Sequence, residues 1–314
     1  MDNLSTPELT RWLRFKHLNL LVVLGEYRNM HLAAQQMHLS QPAASKMLKD
    51  LEAFFGFKIF DRLPRSMQPT DLGLHVLRHA QVLLNDVDRL VDDIFYMREG
   101  GYGQLLIGVI PAAAPEILPA AIIALKQRIP RLRVSVQEHS SDRLLTDLEH
   151  KRLDLVVGRL TRVDQHNIFD FEALLEEPLC IVVRKEHPLA ERDVVKLGDL
   201  HQWPWVLHPL NSPMRGIFEK ALEVAGIASP TNVIETTSIQ VTFQLLETSD
   251  MLAVLPRSVL RRSVEKGLLV RLPLQIGQPL NYYGIITRKH EKTPPGVAEL
   301  ISALRAQISP PSES

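Results

Sequence analysis

The sequence predicts an α/β protein in three parts: a small helical head (residues 1–70), one long helix (71–102) and two α/β lobes (103–308). Three patterns predict it. Short amphipathic stretches separated by capping residues fill the head. A heptad repeat fills the long helix. Apolar strand-like runs then alternate with helical patterns. A chain of 314 residues is long enough for about two domains. The tail SPPSES (309–314) reads as disordered.

Residues 14–28 read as a helix with Phe15, Leu18, Leu21 or Val22, and Gly25 on one side. Residues 30–38 read as a second, shorter helix with Ala33, Ala34 and Met37 turned inward. Ser40 then supplies a hydroxyl N-cap, and Pro42 falls in the first turn, where a missing N–H costs little. The third helix runs to Phe55, and Gly56 stops it. Along it Ala44, Leu48, Leu51 and Phe55 recur at i, i+4, i+7 and i+11 and form the buried stripe. Gln41, Pro42, Ser45, Lys46 and Lys49 share a different face. In KIFDRLPRSMQPT (58–70), two extended pieces flank Leu63-Pro64-Arg65, which suggests a hairpin, or wing, with Arg62 and Arg65 at or near its tip.

Thr70 caps the long helix, residues 71–99. Leu77, Ala80, Leu84, Val87, Val91 and Ile94 step by three and four, and Val76, Leu83, Leu90 and Met97 repeat at sevens. A helix packed only on its own domain does not need so regular a seam, so it reads as a dimerising linker. Asp86, Asp88, Asp92 and Asp93 make its outer face unsuited to nucleic acid. Gly100-Gly101-Tyr102-Gly103 breaks it and marks a hinge.

Beyond the hinge, LLIGVI, VSVQEH and LDLVVG read as strands, with helices over Pro115–Gln127 and Asp142–Lys151 between them. CIVVRK opens a second series: helix Arg215–Ala225, strand NVIETT, helix Ile239–Thr248 and strand MLAVLP. A strand at Tyr282–Thr287 and a helix at Val297–Gln307 close the chain. Such alternation predicts largely parallel sheets with right-handed crossovers. The expected division is lobe I at 103–177 and 280–308 and lobe II at 178–279, with a cleft between. Ligands of open α/β sheets settle at strand C-terminal ends, beside helix N-termini.

Net charge is zero, so no whole-chain field draws this protein to nucleic acid; a local patch must do so. Residues 41–65 hold three lysines and two arginines against Asp50, Glu52 and Asp61, a net of +2. The single cysteine, Cys180, excludes an intrachain disulfide and fits a reducing cytosol. The start, MDNLSTPELTRW, lacks the pattern of a signal peptide. Pro111, Pro115 and Pro119 argue against a bilayer helix within the apolar span Leu105–Leu125. The expectation is a cytoplasmic protein with no membrane association. Gly-rich phosphate loop, G-x-S-x-G, H-E-x-x-H and paired cysteines are all missing, and His150 and His166 lack partners at ligand spacing. No enzyme, catalytic residue, cofactor or metal is expected. The alternative, a transport-type solute-binding protein, fits neither the start of the chain nor the basic head.

A helix-turn-helix lays its second helix in the major groove, with residues near its N-terminus reaching base edges. Gln41 can bond adenine in bidentate fashion, and Lys46 or Lys49 can donate to guanine or hold phosphate. Ser45 permits close approach, and Pro42 can meet a thymine methyl. Arg62 and Arg65 on a wing suit phosphate contact or the minor groove.

The run A33-A34, L39-S40-Q41-P42-A43-A44-S45-K46, L51-E52, G56, F60-D61-R62-L63-P64-R65 and T70-D71-L72-G73 resembles the LysR-type transcriptional regulators. The family spacing F-x-R-x-x-R-x(4)-T-x-x-G is kept. The resemblance implies a winged helix-turn-helix, a dimerising linker helix and a two-lobed effector domain similar to periplasmic binding proteins. It also implies homodimers paired into tetramers that bend operator DNA, a small-molecule inducer between the lobes, and contact with RNA polymerase. By motif position, the implied base contacts are Gln41, Pro42, Ser45 and Lys46, with Arg62 and Arg65 in the wing. Asn29 and His31 depart from the usual Ser or Thr before the second helix; His31 is a phosphate contact or simply a helix-start histidine. Pro69 replaces a common leucine.

For the inducer, Ser141 aligns with a hydroxyl that relatives use for acid ligands, beside Ser140. Asn211, Ser212 and Thr237 follow, each equally readable as a helix N-cap. Arg159 pairs either with an anionic effector or with the opposite lobe. The first loop, I-P-A-A-A (110–114), lacks the hydroxyls found in many relatives. The expected ligand is a small organic anion, such as an aromatic acid or a sugar acid.

Overall fold

The structure is a computed structural model that describes residues 6–63, 66–98, 101–113, 115, 117–210, 212–274, 276–277 and 280–308. Arg65 and Asn211 of the expected site residues, and the tail 309–314, lie outside the described residues. Two compact units emerge. One holds the chain up to Gln104 together with Thr146–Leu153; the other holds Leu105–Leu145 and the chain from Asp154 onward.

The first unit begins with α1 (Thr6–Trp12), α2 (Phe15–Tyr27), α3 (Met30–Gln36) and α4 (Gln41–Phe55). A two-stranded antiparallel hairpin, β1 (Phe60–Leu63) and β2 (Ser66–Pro69), follows, and then the long α5 (Asp71–Arg98). The caps explain the boundaries. The Asn29 side chain accepts from the His31 and Leu32 N–H groups, so it performs the capping that Ser or Thr would. Ser40 Oγ accepts from Ala43 N at 3.3 Å, and Gly56 ends α4 at φ +76°. Leu20, Leu21, Leu24, Ala33, Ala44, Leu48, Leu51 and Ile59 are fully buried and form the core with Phe60 and Met67. Phe15, grouped on one side with Leu18 and Leu21, is 58% exposed while those two are buried. It is the first residue of α2, two residues before burial begins at His17, and α1 leads the chain in beside it. At Gly25 an added Cβ would lie 2.3 Å from Leu77 Cδ2, so the missing side chain lets α2 and α5 approach closely.

The second unit holds two five-stranded sheets. The first is ordered β4-β3-β5-β12-β6, from β3 (Gln104–Val109), β4 (Arg133–Glu138), β5 (Leu155–Gly158), β6 (Phe169–Glu177) and β12 (Leu280–Arg288). The second is ordered β11-β7-β10-β8-β9, from β7 (Leu179–Arg184), β8 (Trp205–Leu207), β9 (Val233–Glu235), β10 (Leu252–Pro256) and β11 (Leu269–Arg271). The helices are α6 (Leu118–Arg128), α7 (Ser141–Glu149), α8 (Pro213–Val224), α9 (Ile239–Thr248), α10 (Arg257–Glu265) and α11 (Pro295–Ala306). The expectation of largely parallel sheets needs correction. β3 and β5 are parallel, as are β10 with β8 and β8 with β9, but β12 runs antiparallel to both β5 and β6, and β7 antiparallel to β10 and β11. The chain passes from the first sheet to the second at Glu177–Leu179 and returns as β12, and the two crossing strands enter against the direction of their neighbours. The helix expected from Pro115 starts at Leu118, with Pro119 in its first turn. Behind the second sheet, Trp205 and Phe218 rings pack 4.8 Å apart at the centre of the largest apolar cluster there.

Candidate nucleic-acid interface and effector site

Burial of Ala44, Leu48 and Leu51 leaves Gln41, Pro42, Lys46 and Lys49 exposed on α4, with Ser45 half-buried between the two faces. His31, Gln41, Ser45 and Arg62 line one concavity of about 320 Å³, together with Arg28, Asn29 and Ser66. Thus four of the expected contacts, drawn from α3, α4 and β1, meet on one surface. Pro42, Lys46 and Lys49 lie on the same helix but do not line that concavity.

The hairpin is fixed to this surface by bonds that run through buried groups. Glu52, on α4, is buried, and its Oε1 accepts from Ile59 N at 3.0 Å and Phe60 N at 3.3 Å. Its Oε2 accepts from Lys58 Nζ at 3.1 Å. Met67 N donates to Arg28 O at 2.8 Å, which ties β2 to the turn between α2 and α3. Thr70 Oγ1 donates to Lys58 O and accepts from Gly73 N, so one hydroxyl both closes the hairpin and caps α5. A Cβ at Gly73 would stand 2.0 Å from Ile59 O, so only glycine lets α5 start against the hairpin. The T-x-x-G spacing therefore has a steric cause. Glu52 was legible only as part of a motif; a carboxylate in an otherwise apolar i, i+4 neighbourhood is the signal that marks it.

At the C-terminal edge of the first sheet, Arg159 N donates to Ser141 Oγ at 3.4 Å. A Cβ at Gly158 would approach Ile110 Cγ2 to 3.3 Å and Ser141 Oγ to 3.7 Å, so the ends of β3 and β5 and the start of α7 converge there. Ser140 is exposed, and its carbonyl accepts from Leu144 N in the first turn of α7. The Arg159 guanidinium sits 5.6 Å above the Tyr283 ring. Burial lowers its pKa, against the opposing pull of Glu177 and Tyr283. Arg159 is thus oriented toward residues of its own sheet.

Ser212 and Thr237 stand at the starts of α8 and α9, on the second sheet's half. Ser212 is an N-cap, with Oγ accepting from Arg215 N at 3.2 Å. Thr237 is not: Ser238 caps α9, and Thr237 is exposed one residue earlier. Arg215, which the sequence placed only at the end of a strand-end loop and the start of a helix, is a buried guanidinium that donates to Glu219 and to His208 O and lies 3.5 Å from Glu235. His208 beside it has its pKa lowered by burial. Among the described residues, no group of three or more His, Cys, Asp or Glu could hold a metal ion, and no helix is long and apolar enough to cross a membrane.

Residues 15–74 match the bacterial regulatory helix-turn-helix protein, lysR family, and residues 98–309 match the LysR substrate binding domain. The chain belongs to the LysR family. It is a LysR-type, DNA-binding transcriptional regulator with a ligand-responsive effector domain. It is similar to the HTH-type transcriptional regulator GbpR of Azospirillum brasilense, 31% identical over 295 residues that span 94% of this chain and 86% of GbpR. It is also similar to the HTH-type transcriptional regulator GalR of Pseudomonas putida, 32% identical over 294 residues, 94% of this chain and 74% of GalR. In fold it resembles the crystal structure of CbnR, a LysR family transcriptional regulator (TM-score 0.63, 21% identity, 95% of this chain and 100% of that one). Full-length CbnR complexed with its target DNA gives the same TM-score of 0.63 at 20% identity, over 94% of this chain and 100% of that one. Helix α1 precedes the stretch matched by the LysR helix-turn-helix, and its Trp12 stacks on Phe54 of α4 with ring centroids 4.4 Å apart.

Proposed function

We propose that α4 enters the major groove of operator DNA and that this LysR regulator answers a small organic anion held between the two sheets of its second unit. The observation that carries the DNA half is the shared concavity of His31, Gln41, Ser45 and Arg62 beside exposed Lys46 and Lys49. In this reading Gln41, Pro42, Ser45 and Lys46 address base edges, while Lys49, His31, Arg62 and Arg65 hold phosphates or the minor groove. The functional parts are then residues 1–70 for DNA, 71–102 for dimerisation, and 103–308 for the effector. The chain catalyses nothing, works in the cytoplasm, assembles as homodimers paired into tetramers and contacts RNA polymerase.

For the effector, Ser141 and the Arg159 backbone are adjacent polar groups at the strand ends, and in this reading Ser140, Asn211, Ser212 and Thr237 supply the remaining polar contacts. The N-terminus of α7 adds a field that favours an anion. A ligand that binds one arrangement of the lobes more tightly shifts the population toward it, and so repositions the DNA-binding pairs.

Fluorescence anisotropy on the promoter DNA upstream of its own gene tests the DNA half. Arg62→Ala should weaken every sequence alike and reduce the salt slope by about one unit. An unchanged slope would remove Arg62 from the phosphate contacts.

A further inference from the structure

A second cavity, of about 460 Å³, lies in the second unit between α10, β11 and the crossover that leads out of β6. Three guanidinium groups line it, from Arg257 and Arg261 on α10 and Arg271 on β11. Two of its three carboxylates have partners: Glu177 Oε1 accepts from Ser258 N at 3.1 Å, and Glu176 accepts from the Tyr282 hydroxyl. The third, Glu265, lies 3.9 Å from Arg261, at the limit of an ion pair. Arg271 hydrogen-bonds the Cys180 thiol, and both Arg257 and the Glu177 carboxylate lie close enough to act on it. The two arginines from different elements therefore converge. Burial raises the Cys180 pKa, so the thiol stays neutral and does not cancel their charge. Helix α10 also has no acidic residue in its first turn, and begins with Arg257. A cation at the positive end of a helix dipole is an unfavourable arrangement that a bound anion reverses. Leu175, Leu260 and Val264 give the same cavity an apolar side.

We propose that this cavity is a second effector site, separate from the one at Ser141 and Arg159. It takes a small carboxylate with an apolar body, the carboxylate gripped by Arg257 and Arg271 and the body set against Leu175, Leu260 and Val264. Bidentate guanidinium pairing suits a planar carboxylate, and the apolar side excludes a bare hydrated ion. The occupant acts on the coupling between the sheets. Ser258, the second residue of α10, accepts no such ligand itself but joins both halves: its N–H donates to Glu177, and its hydroxyl donates to Ala112 O at 2.8 Å in the turn after β3. A ligand seated on the adjacent Arg257 stabilises the arrangement in which those bonds exist.

Isothermal titration calorimetry of the full chain with benzoate, benzyl alcohol and inorganic phosphate tests the site. Benzoate should bind saturably, and the paired variant Arg257→Gln, Arg271→Gln should weaken it by about tenfold or more. Benzyl alcohol should not compete, and phosphate should bind more weakly than benzoate. Any binding at Ser141 and Arg159 persists in the paired variant, so the two sites separate. Thermal melts establish that the variant folds. If it does not, Arg257→Lys with Arg271→Lys decides, because it keeps both charges and loses the fork: weaker benzoate binding supports the site. No saturable benzoate binding, equal binding by parent and variants, or phosphate binding as tightly as benzoate would each overturn the proposal.

Discussion

Glu52 shows how one residue positions the DNA face without touching it. Its carboxylate is buried and holds the Ile59 and Phe60 N–H groups at the entry to the hairpin. Lys58 is 70% exposed, so that ion pair adds little, and the two backbone bonds carry the effect. Glu52→Ala should lower stability by about 1.5–3 kcal/mol, the cost of charge-assisted bonds lost from buried donors, and Glu52→Gln by less, since it retains an acceptor. Urea unfolding measures both; equal stability of Glu52→Ala and parent would show that the hairpin does not need the carboxylate. At this scale the sequence was legible wherever a residue type has one use. Ser40, Gly56 and Thr70 were assigned from caps and stand in those places. It was illegible where a type has two uses. A serine or threonine before a helix is a cap or a ligand donor, and Ser212 proves a cap while Thr237 gives way to Ser238.

Among the elements, α5 leaves a row of large apolar residues uncovered. Leu83, Leu90 and Met97 are exposed, the last by 66%, and they repeat at sevens along a helix whose other side packs on α2. This pattern supports the proposed role of α5 in dimerisation. Leu84, on the neighbouring row, is partly buried within the unit, so Leu90 is the better probe. Leu90→Asp should give monomers in sedimentation velocity while leaving the fold of the head intact. Dimers that persist unchanged would place the self-association elsewhere. Periodic elements such as α5, α9 and α4 were legible because apolar residues recur along them at helical spacing. Short or two-faced elements were not. Helix α1 offers only Leu9 and Trp12 as apolar anchors in seven residues, and β6 (FDFEALLEE) mixes charges into a strand at the edge of its sheet. The direction of β12 was illegible as well: strand propensity states burial on two faces and says nothing of which way the chain enters the sheet.

For the whole molecule, five histidines respond to acid in one direction. His17, His79, His150, His187 and His208 all have pKa values lowered first by burial. The unfolded chain binds protons at these sites near pH 6.5 while the folded chain does not, so stability rises with pH there and falls as pH drops below about 6.5. Differential scanning fluorimetry from pH 8 to 5 should show a falling Tm; a flat or rising Tm toward acid would mean the histidines are as accessible folded as unfolded. At this scale the family motif made the DNA-binding role legible, because groove recognition uses a fixed helix and a fixed spacing. The inducer stayed out of reach because the strand-end loops hold small and apolar residues whose backbone groups carry no chemical label. The account rests on α4 reading base edges, and selection from a random duplex library tests that most directly. The parent chain should enrich one sequence motif, and Gln41→Ala with Lys46→Ala should flatten it at the positions those side chains address. Enrichment of the same motif by the variant, or of none by the parent at low salt, would contradict it.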